Sequence, residues 1–172
     1  MSGPKKQRAD FRVERSRFAI PCLERLIVAP LWVMYEVNLG TLLRTCDAVG
    51  ACLAVPNTEY YQRSLSRGDT LQGRRPHIHW VRPSKEAWIK RKRDDGWRFV
   101  AAELALNATP LPALAPAKTP TVLLLGNERD GVPDKVLAEV DECVEIPMSG
   151  WGASLNVAVA GSLVLYRLAG MS

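Results

Sequence analysis

Histidine is scarce in this chain, at 2 of 172 residues, and the 4 cysteines form no Cys-x-x-Cys pair. The spaced ligand motifs of zinc sites and dithiol redox centres are therefore missing. Cys22, Cys46, Cys52 and Cys143 stand far apart, each in or beside an apolar stretch, and read as reduced core thiols. His77 and His79 form a His-x-His pair on a strand with no Cys or carboxylate close in sequence, so no metal is expected. No apolar run approaches the roughly 20 residues of a membrane helix. The N-terminal Met-Ser-Gly-Pro-Lys-Lys-Gln-Arg is not followed by the apolar stretch of a signal peptide, so no membrane partner is expected and the cytoplasm is the expected compartment.

What is present is a composition able to fill one core: 47% hydrophobic and 24% charged residues in a length that suits one ordinary domain. The net charge of +5 is spread unevenly: +4 over residues 1–17, −2 over 18–62, +7 over 63–98 and −4 over 99–172. Blocks such as Arg74-Arg75 and Lys90-Arg91-Lys92-Arg93 are what a phosphate backbone attracts. A solvated helix face is the plainer reading of the same run. Residues 1–22 are expected to be a basic, flexible arm and residues 23–172 the folded domain.

Apolar patterning predicts alternating β and α elements. Leu26 to Val33 reads as a buried strand despite Pro30, and Leu39, Leu42, Leu43, Cys46 and Val49 have helical spacing closed by Gly50. Ala51–Val55 and His77–Val81 read as strands, with a loop or short helix between them. Ser84 can cap a helix over Lys85–Asp94, and Trp97 to Leu104 resumes a β pattern. After the proline-rich connection 107–120, Thr121–Leu125 suits a central parallel strand. A helix over Pro133–Val140, a short strand over Cys143–Ile146 and an apolar terminal helix over 154–168 complete the chain. The pattern predicts an α/β fold, a mainly parallel sheet with helices on both faces. The terminal helix, apolar on more than one side, suits a sheet on one side and a partner subunit on the other.

Three segments place polar residues and glycines after apolar strands, where α/β sheets hold ligands. The first is Asn38-Leu39-Gly40-Thr41-Leu42-Leu43-Arg44, whose Asn38 and Arg44 can face one ligand; equally, Asn38 can be an N-cap and Arg44 can pair with Asp47. The second, Leu125-Gly126-Asn127-Glu128-Arg129-Asp130-Gly131, allows close backbone approach but is also a plain strand-to-helix turn. The third runs from Ile146-Pro147-Met148 to Ser154-Leu155-Asn156, with Ser154 the expected cap and Asn156 an amide that needs a partner inside an apolar helix.

In this order the segments resemble the Asn-x-Gly-x-x-x-Arg, Gly-x-Glu-x-x-Gly and Ile-Pro-Met…Ser-Leu-Asn-Val motifs of the SpoU-type RNA 2′-O-ribose methyltransferases of the SPOUT superfamily, from about Leu26 to Leu168. The resemblance implies a C-terminal trefoil knot, S-adenosylmethionine as cofactor, and a homodimer whose active sites take residues from both subunits. It implies methyl transfer to a ribose 2′-hydroxyl of tRNA or rRNA; a non-catalytic knotted RNA-binding module is the alternative. Carried over, Ala102, Glu103, Leu104, Leu125, Gly126, Ile146, Met148 and Leu155 hold the cofactor. Arg44 acts on the 2′-hydroxyl, with Asn38, Glu128, Ser154 and Asn156 arranging the site. A guanidinium with a pKa above about 12 is a poor base, which leaves phosphate binding and orientation as Arg44's other role.

Overall fold

The structure, a computed structural model, describes residues 25–68 and 76–171. The N-terminal arm and Cys22, Arg74 and Arg75 lie outside the described residues. Strands β1 (Leu26–Ala29), β2 (Cys52–Pro56), β3 (Ile78–Val81), β4 (Arg98–Ala102), β5 (Thr109–Pro110), β6 (Thr121–Leu124) and β7 (Glu142–Glu145) form one sheet in the order β3-β2-β1-β6-β4-β7-β5. Every neighbouring pair is parallel. The central strand β6 is buried along its whole length between β1 and β4, which is why it reads as an unbroken apolar run.

The helices are α1 (Glu36–Val49), α2 (Glu59–Gly68), α3 (Lys85–Asp94), α4 (Asp134–Leu137) and α5 (Val157–Leu168). Strand alternation sends Val28, Leu53, Leu123 and Val100 to a core shared with Leu39, Leu42 and Leu43 of α1, Leu65 of α2 and Val164 and Leu165 of α5. Their neighbours Ile27, Ala54, Val122 and Phe99 join Trp88 and Ile89 of α3, with Val136 and Leu137 of α4 packed against them. The sheet is thus covered on both faces, as the pattern predicts.

Local differences from the expected elements have simple causes. β1 stops at Ala29, because Pro30 offers no N–H to continue the ladder; Leu31, in a turn, and Val33 just after it are still buried. α1 begins at Glu36, so Asn38 lies in its first turn and is not its cap. Gly50 closes α1 in the left-handed conformation, and the Ser84 hydroxyl caps α3 by accepting from the Ala87 amide at 3.1 Å, both as expected. α4 is much shorter than Pro133–Val140. The cap of α5 is Asn156 rather than Ser154. Cys46 and Cys143 are free thiols, and burial pushes both pKa values up, as core thiols should behave. Cys52 is buried as expected but is disulfide-bonded, so the reading of a reduced thiol fails there.

α5 crosses close to α1 and β6 because Gly161 lacks a side chain. A Cβ there would lie 2.5 Å from Leu125 Cδ1 and 3.1 Å from Leu42 Cδ2, both leucines fully buried. Gly161→Ala is expected to lower stability by about 1–3 kcal/mol through overpacking, read from the denaturant midpoint with an unchanged slope. On its outer side α5 leaves Val159, Leu163 and Tyr166 exposed, one above another at helical spacing.

Candidate functional site

The carboxyl ends of β4, β6 and β7 open into a cavity of about 640 Å³. Gly126 follows β6 and is held there by a close approach: a Cβ on it would sit 2.1 Å from the Gly131 carbonyl carbon and 2.3 Å from the Val132 nitrogen. Only glycine lets the turn fold back on itself at this point, where Asn127 and Gly131 exchange two backbone hydrogen bonds of 2.9 and 3.0 Å. Within the turn the Asn127 side chain accepts from the amide of Arg129 at 2.8 Å, and Glu103, at the end of β4, accepts from the Val132 amide at 3.0 Å. Gly126→Ala is expected to displace this turn and so to weaken binding of the cofactor that the resemblance implies by roughly tenfold or more, measured by calorimetric titration.

Ala102, Glu103, Leu104, Leu125, Gly126, Ile146, Met148 and Leu155 all line this cavity, as do Glu128, Ser154 and Asn156. Tyr35, Arg129 and Ala160 line it as well. The sequence reading missed these three. Tyr35 and Ala160 carry no polar pattern of their own, and Arg129 is one charge in a tetrapeptide of mixed sign.

A hydrogen-bonded relay forms one side of the site. The Glu128 carboxylate accepts from the Met34 amide at 3.0 Å, the Tyr35 amide at 3.3 Å and Asn38 Nδ2 at 2.7 Å. Burial works to raise the Glu128 pKa, but the Met34, Tyr35 and Asn38 donors, together with its own amide, outweigh it and hold the carboxyl below the ordinary glutamate value. With its amide nitrogen committed to Glu128, Asn38 presents Oδ1 to Asn156 Nδ2 at 3.0 Å. Asn156 Oδ1 in turn accepts from the Ala158 and Val159 amides at 2.9 and 3.3 Å, capping α5. Each donor and acceptor in the chain Glu128–Asn38–Asn156–α5 is used in a consistent direction, so the ionised carboxylate fixes the orientation of both amides. The amide at position 156 thus finds its partners at a helix start, not inside an apolar helix.

Arg44 is not brought to this cavity. Six residues beyond Asn38 it lies about 120° away around α1, exposed in a separate groove of about 560 Å³ with Glu36, Val37, Gly40, Thr41, Ser64 and Arg67. The reading that Asn38 and Arg44 face one ligand therefore does not hold within a single chain. Glu36 reaches Arg67 in that groove at 3.3 Å.

The basic run on α3 is largely engaged within the molecule. Lys90 pairs with Asp94 at 2.7 Å and Arg91 donates to the Arg82 carbonyl at 2.5 Å. Lys92 lies over the Trp97 ring at 4.4 Å, and Arg93 lies over Phe99 and 3.5 Å from Glu139. Among the described residues no helix is long and apolar enough to cross a membrane.

Residues 25–166 match the family described as SpoU rRNA Methylase. The chain is similar to a tRNA (guanosine(18)-2′-O)-methyltransferase of Aquifex aeolicus, 33% identical over 83% of this chain and 67% of that protein. It is also similar to a mouse tRNA (guanosine(18)-2′-O)-methyltransferase, 33% identical over 84% of this chain but only 9% of that protein, so it spans a small part of some of its relatives. Among solved structures, an AdoMet-bound rRNA methyltransferase from Sinorhizobium meliloti superposes with a TM-score of 0.74 and 29% identity, covering 87% of this chain and 57% of the other.

Proposed function

The chain belongs to the SpoU rRNA Methylase family, and from that membership we propose that it transfers a methyl group from S-adenosylmethionine to a ribose 2′-hydroxyl of tRNA or rRNA. The observation that carries the reading is the Glu128–Asn38–Asn156 relay, in which Glu128 and Asn156 line the same cavity as the Gly126 turn, Ile146, Met148 and Leu155, and Asn38, itself buried and not lining it, joins the two. These residues fit the cofactor. Apolar side chains and turn backbone suit an adenine ring, and the close approach that admits only glycine at 126 keeps the cavity's β6 edge free of a side chain. Bound there, S-adenosylmethionine supplies an already activated methyl group, so alignment of the incoming oxygen is the main catalytic demand.

The chain's own residues then divide the task. Ile146, Met148 and Leu155 enclose the apolar part of the cofactor, while the relay holds the start of α5 and the Met34–Tyr35 backbone at fixed positions around it. Arg44 serves the cavity of a second copy, binding the RNA phosphate and orienting the 2′-hydroxyl. A homodimer is therefore part of this reading, supported by the exposed apolar ridge of Val159, Leu163 and Tyr166 on α5 and by the direction of Arg44 away from its own cavity. A trefoil-knotted C-terminal part is supported by the way the 112–117 segment lies across the end of α5. Arg167 donates to the Leu114 and Pro112 carbonyls at 2.7 and 2.9 Å, and the Ala117 amide donates to the Leu168 carbonyl at 2.8 Å. The cytoplasm, where tRNA and rRNA are handled, is the compartment this reading assigns.

RNA contact is expected along the basic face that includes α3. Surface pairs such as Lys90–Asp94 are worth little and exchange readily for phosphate, whereas Lys92 and Arg93 are committed to rings beneath them. Lys90→Ala with Arg91→Ala is thus expected to reduce the slope of log Kd against log salt by roughly 1–2. Lys92→Ala with Arg93→Ala is expected to lower stability more than RNA affinity. The reaction itself is tested by incubating the protein with methyl-labelled S-adenosylmethionine and separated unmodified tRNA and rRNA, then digesting to nucleosides. A labelled 2′-O-methylnucleoside is expected; cofactor binding without any labelled nucleoside would overturn the catalytic reading.

A further inference from the structure

At the opposite edge of the sheet from the cofactor cavity, the start of β2 meets the start of β3. Their parallel register sets Leu53 beside Ile78 and Ala54 beside His79, and the Leu53 amide donates to the His77 carbonyl at 3.0 Å. Side chains two apart share a face of a strand, so Cys52, His77 and His79 project to the same side. The two imidazole rings lie 4.4 Å apart between centroids, and the Cys52 sulfur and one nitrogen of each ring all fall within 4.8 Å of one another. Donors of a tetrahedral zinc site stand roughly 3.5 Å apart, given metal–ligand lengths of about 2.0–2.3 Å, so small side-chain rotations bring these three into range. Cys52 is buried, His79 half-buried and His77 exposed, an arrangement open to solvent on one side.

We propose that Cys52, His77 and His79 form a binding site for a divalent transition-metal ion of the zinc type in the protein whose Cys52 is reduced. The donor set of one thiolate and two imidazoles matches borderline-soft cations and not calcium or magnesium. While Cys52 is disulfide-bonded its sulfur carries no negative charge to offer, so the site and the disulfide are alternatives. A phosphine reductant opens the S–S bond to two thiols and leaves as the phosphine oxide with oxygen from water. The metal ion then replaces the Cys52 thiol proton, which passes to solvent. The ion ties the edge strand β3 to β2. This assignment goes beyond the methyl-transfer reading and does not depend on it, since none of the three residues lines the cofactor cavity.

The test uses the full chain, stripped with chelator, reduced with a phosphine and titrated with Co²⁺ as a spectroscopic probe. One equivalent is expected to bind with a thiolate-to-cobalt charge-transfer band that Zn²⁺ abolishes, and Zn²⁺ should raise the melting temperature of the reduced protein. His77→Ala and His79→Ala should each weaken Co²⁺ binding at least tenfold while leaving the circular dichroism spectrum and cofactor binding unchanged. Cys52→Ser should remove the band, and the histidine variants keep the test decisive if that substitution prevents folding. No band in the reduced protein, a band indifferent to both histidine variants, or an equal band in the disulfide-bonded protein would each overturn the assignment.

Discussion

Arg44→Ala is expected to lower methyl transfer by roughly a hundredfold to a thousandfold, the range seen when one preorganised donor to a reacting oxygen or its phosphate is removed. Cofactor affinity should barely change, because Arg44 lines the Glu36–Arg67 groove and not the cavity where Gly126 and Met148 lie. The sharper test comes from mixing. If Arg44 serves the partner's cavity, Arg44→Ala and a cofactor-pocket variant such as Gly126→Ala are each defective alone, for different reasons. After subunit exchange, half of the random dimers contain both variants, and in each of those one of the two sites has no defect. Activity should recover to about a quarter of the unsubstituted level. Full activity of Arg44→Ala would remove the residue from the mechanism, and no recovery on exchange with two properly folded partners would place its action in its own chain.

Asn38→Asp should be the most damaging isosteric change in the site. The substitution replaces the Nδ2 donor, 2.7 Å from Glu128 Oε1, with a second carboxylate oxygen, in a residue only 3% exposed. The new carboxylate faces a like charge and also breaks the relay, although Asn156 Nδ2 retains an acceptor. Burying a charge without a partner of opposite sign costs about 3–5 kcal/mol, enough to lower the folded population and cofactor binding together. The pH dependence distinguishes this cause from simple misfit. In the unsubstituted protein Glu128 has a pKa held below the ordinary glutamate value, so its contribution to stability is present at neutral pH and is lost as acid drives the pH down through the folded-state pKa. In the variant the shared pair binds a proton more tightly folded than unfolded, so stability should rise as the pH falls from neutral toward about 5, where one carboxyl becomes a donor. Denaturant midpoints measured across that range check the difference: the Glu128 contribution in the unsubstituted protein stays level there, being lost only below the ordinary glutamate value, whereas the variant gains stability toward acid; parallel profiles would mean that the introduced carboxylate and Glu128 do not interact. Asn38→Ala, which leaves both Glu128 and Asn156 short of a partner, should destabilise without that gain toward acid.

What could be read in advance followed the range of the physical signal. The apolar run of β6, the helical stripe Leu39–Leu42–Leu43–Cys46 and the Ser84 and Gly50 caps depend on residues within a turn or two of each other, and the structure shows them as expected. The α/β order, the parallel sheet and the three segments that carry the family likeness were legible for that reason. Helix and strand ends shifted where a single group decides. Pro30 stops β1 for want of an N–H, and Asn156 takes the cap from Ser154 because its oxygen reaches two free amides.

The tertiary structure alone decided everything that joins distant segments. Glu128 and Asn38 are 90 residues apart and Asn38 and Asn156 are 118 apart, so no local pattern could state that their amides orient one another. The same holds for Cys52 beside His77 and His79, where strand register supplies the cysteine that sequence proximity did not. Arg44 shows the complementary case: its helical position was evident from the stripe opposite, yet which groove that face meets depends on how α1 packs against α2 and the sheet. Periodicity fixes which way a side chain points relative to its own helix, and only the packing of elements far apart in the chain fixes what it points at.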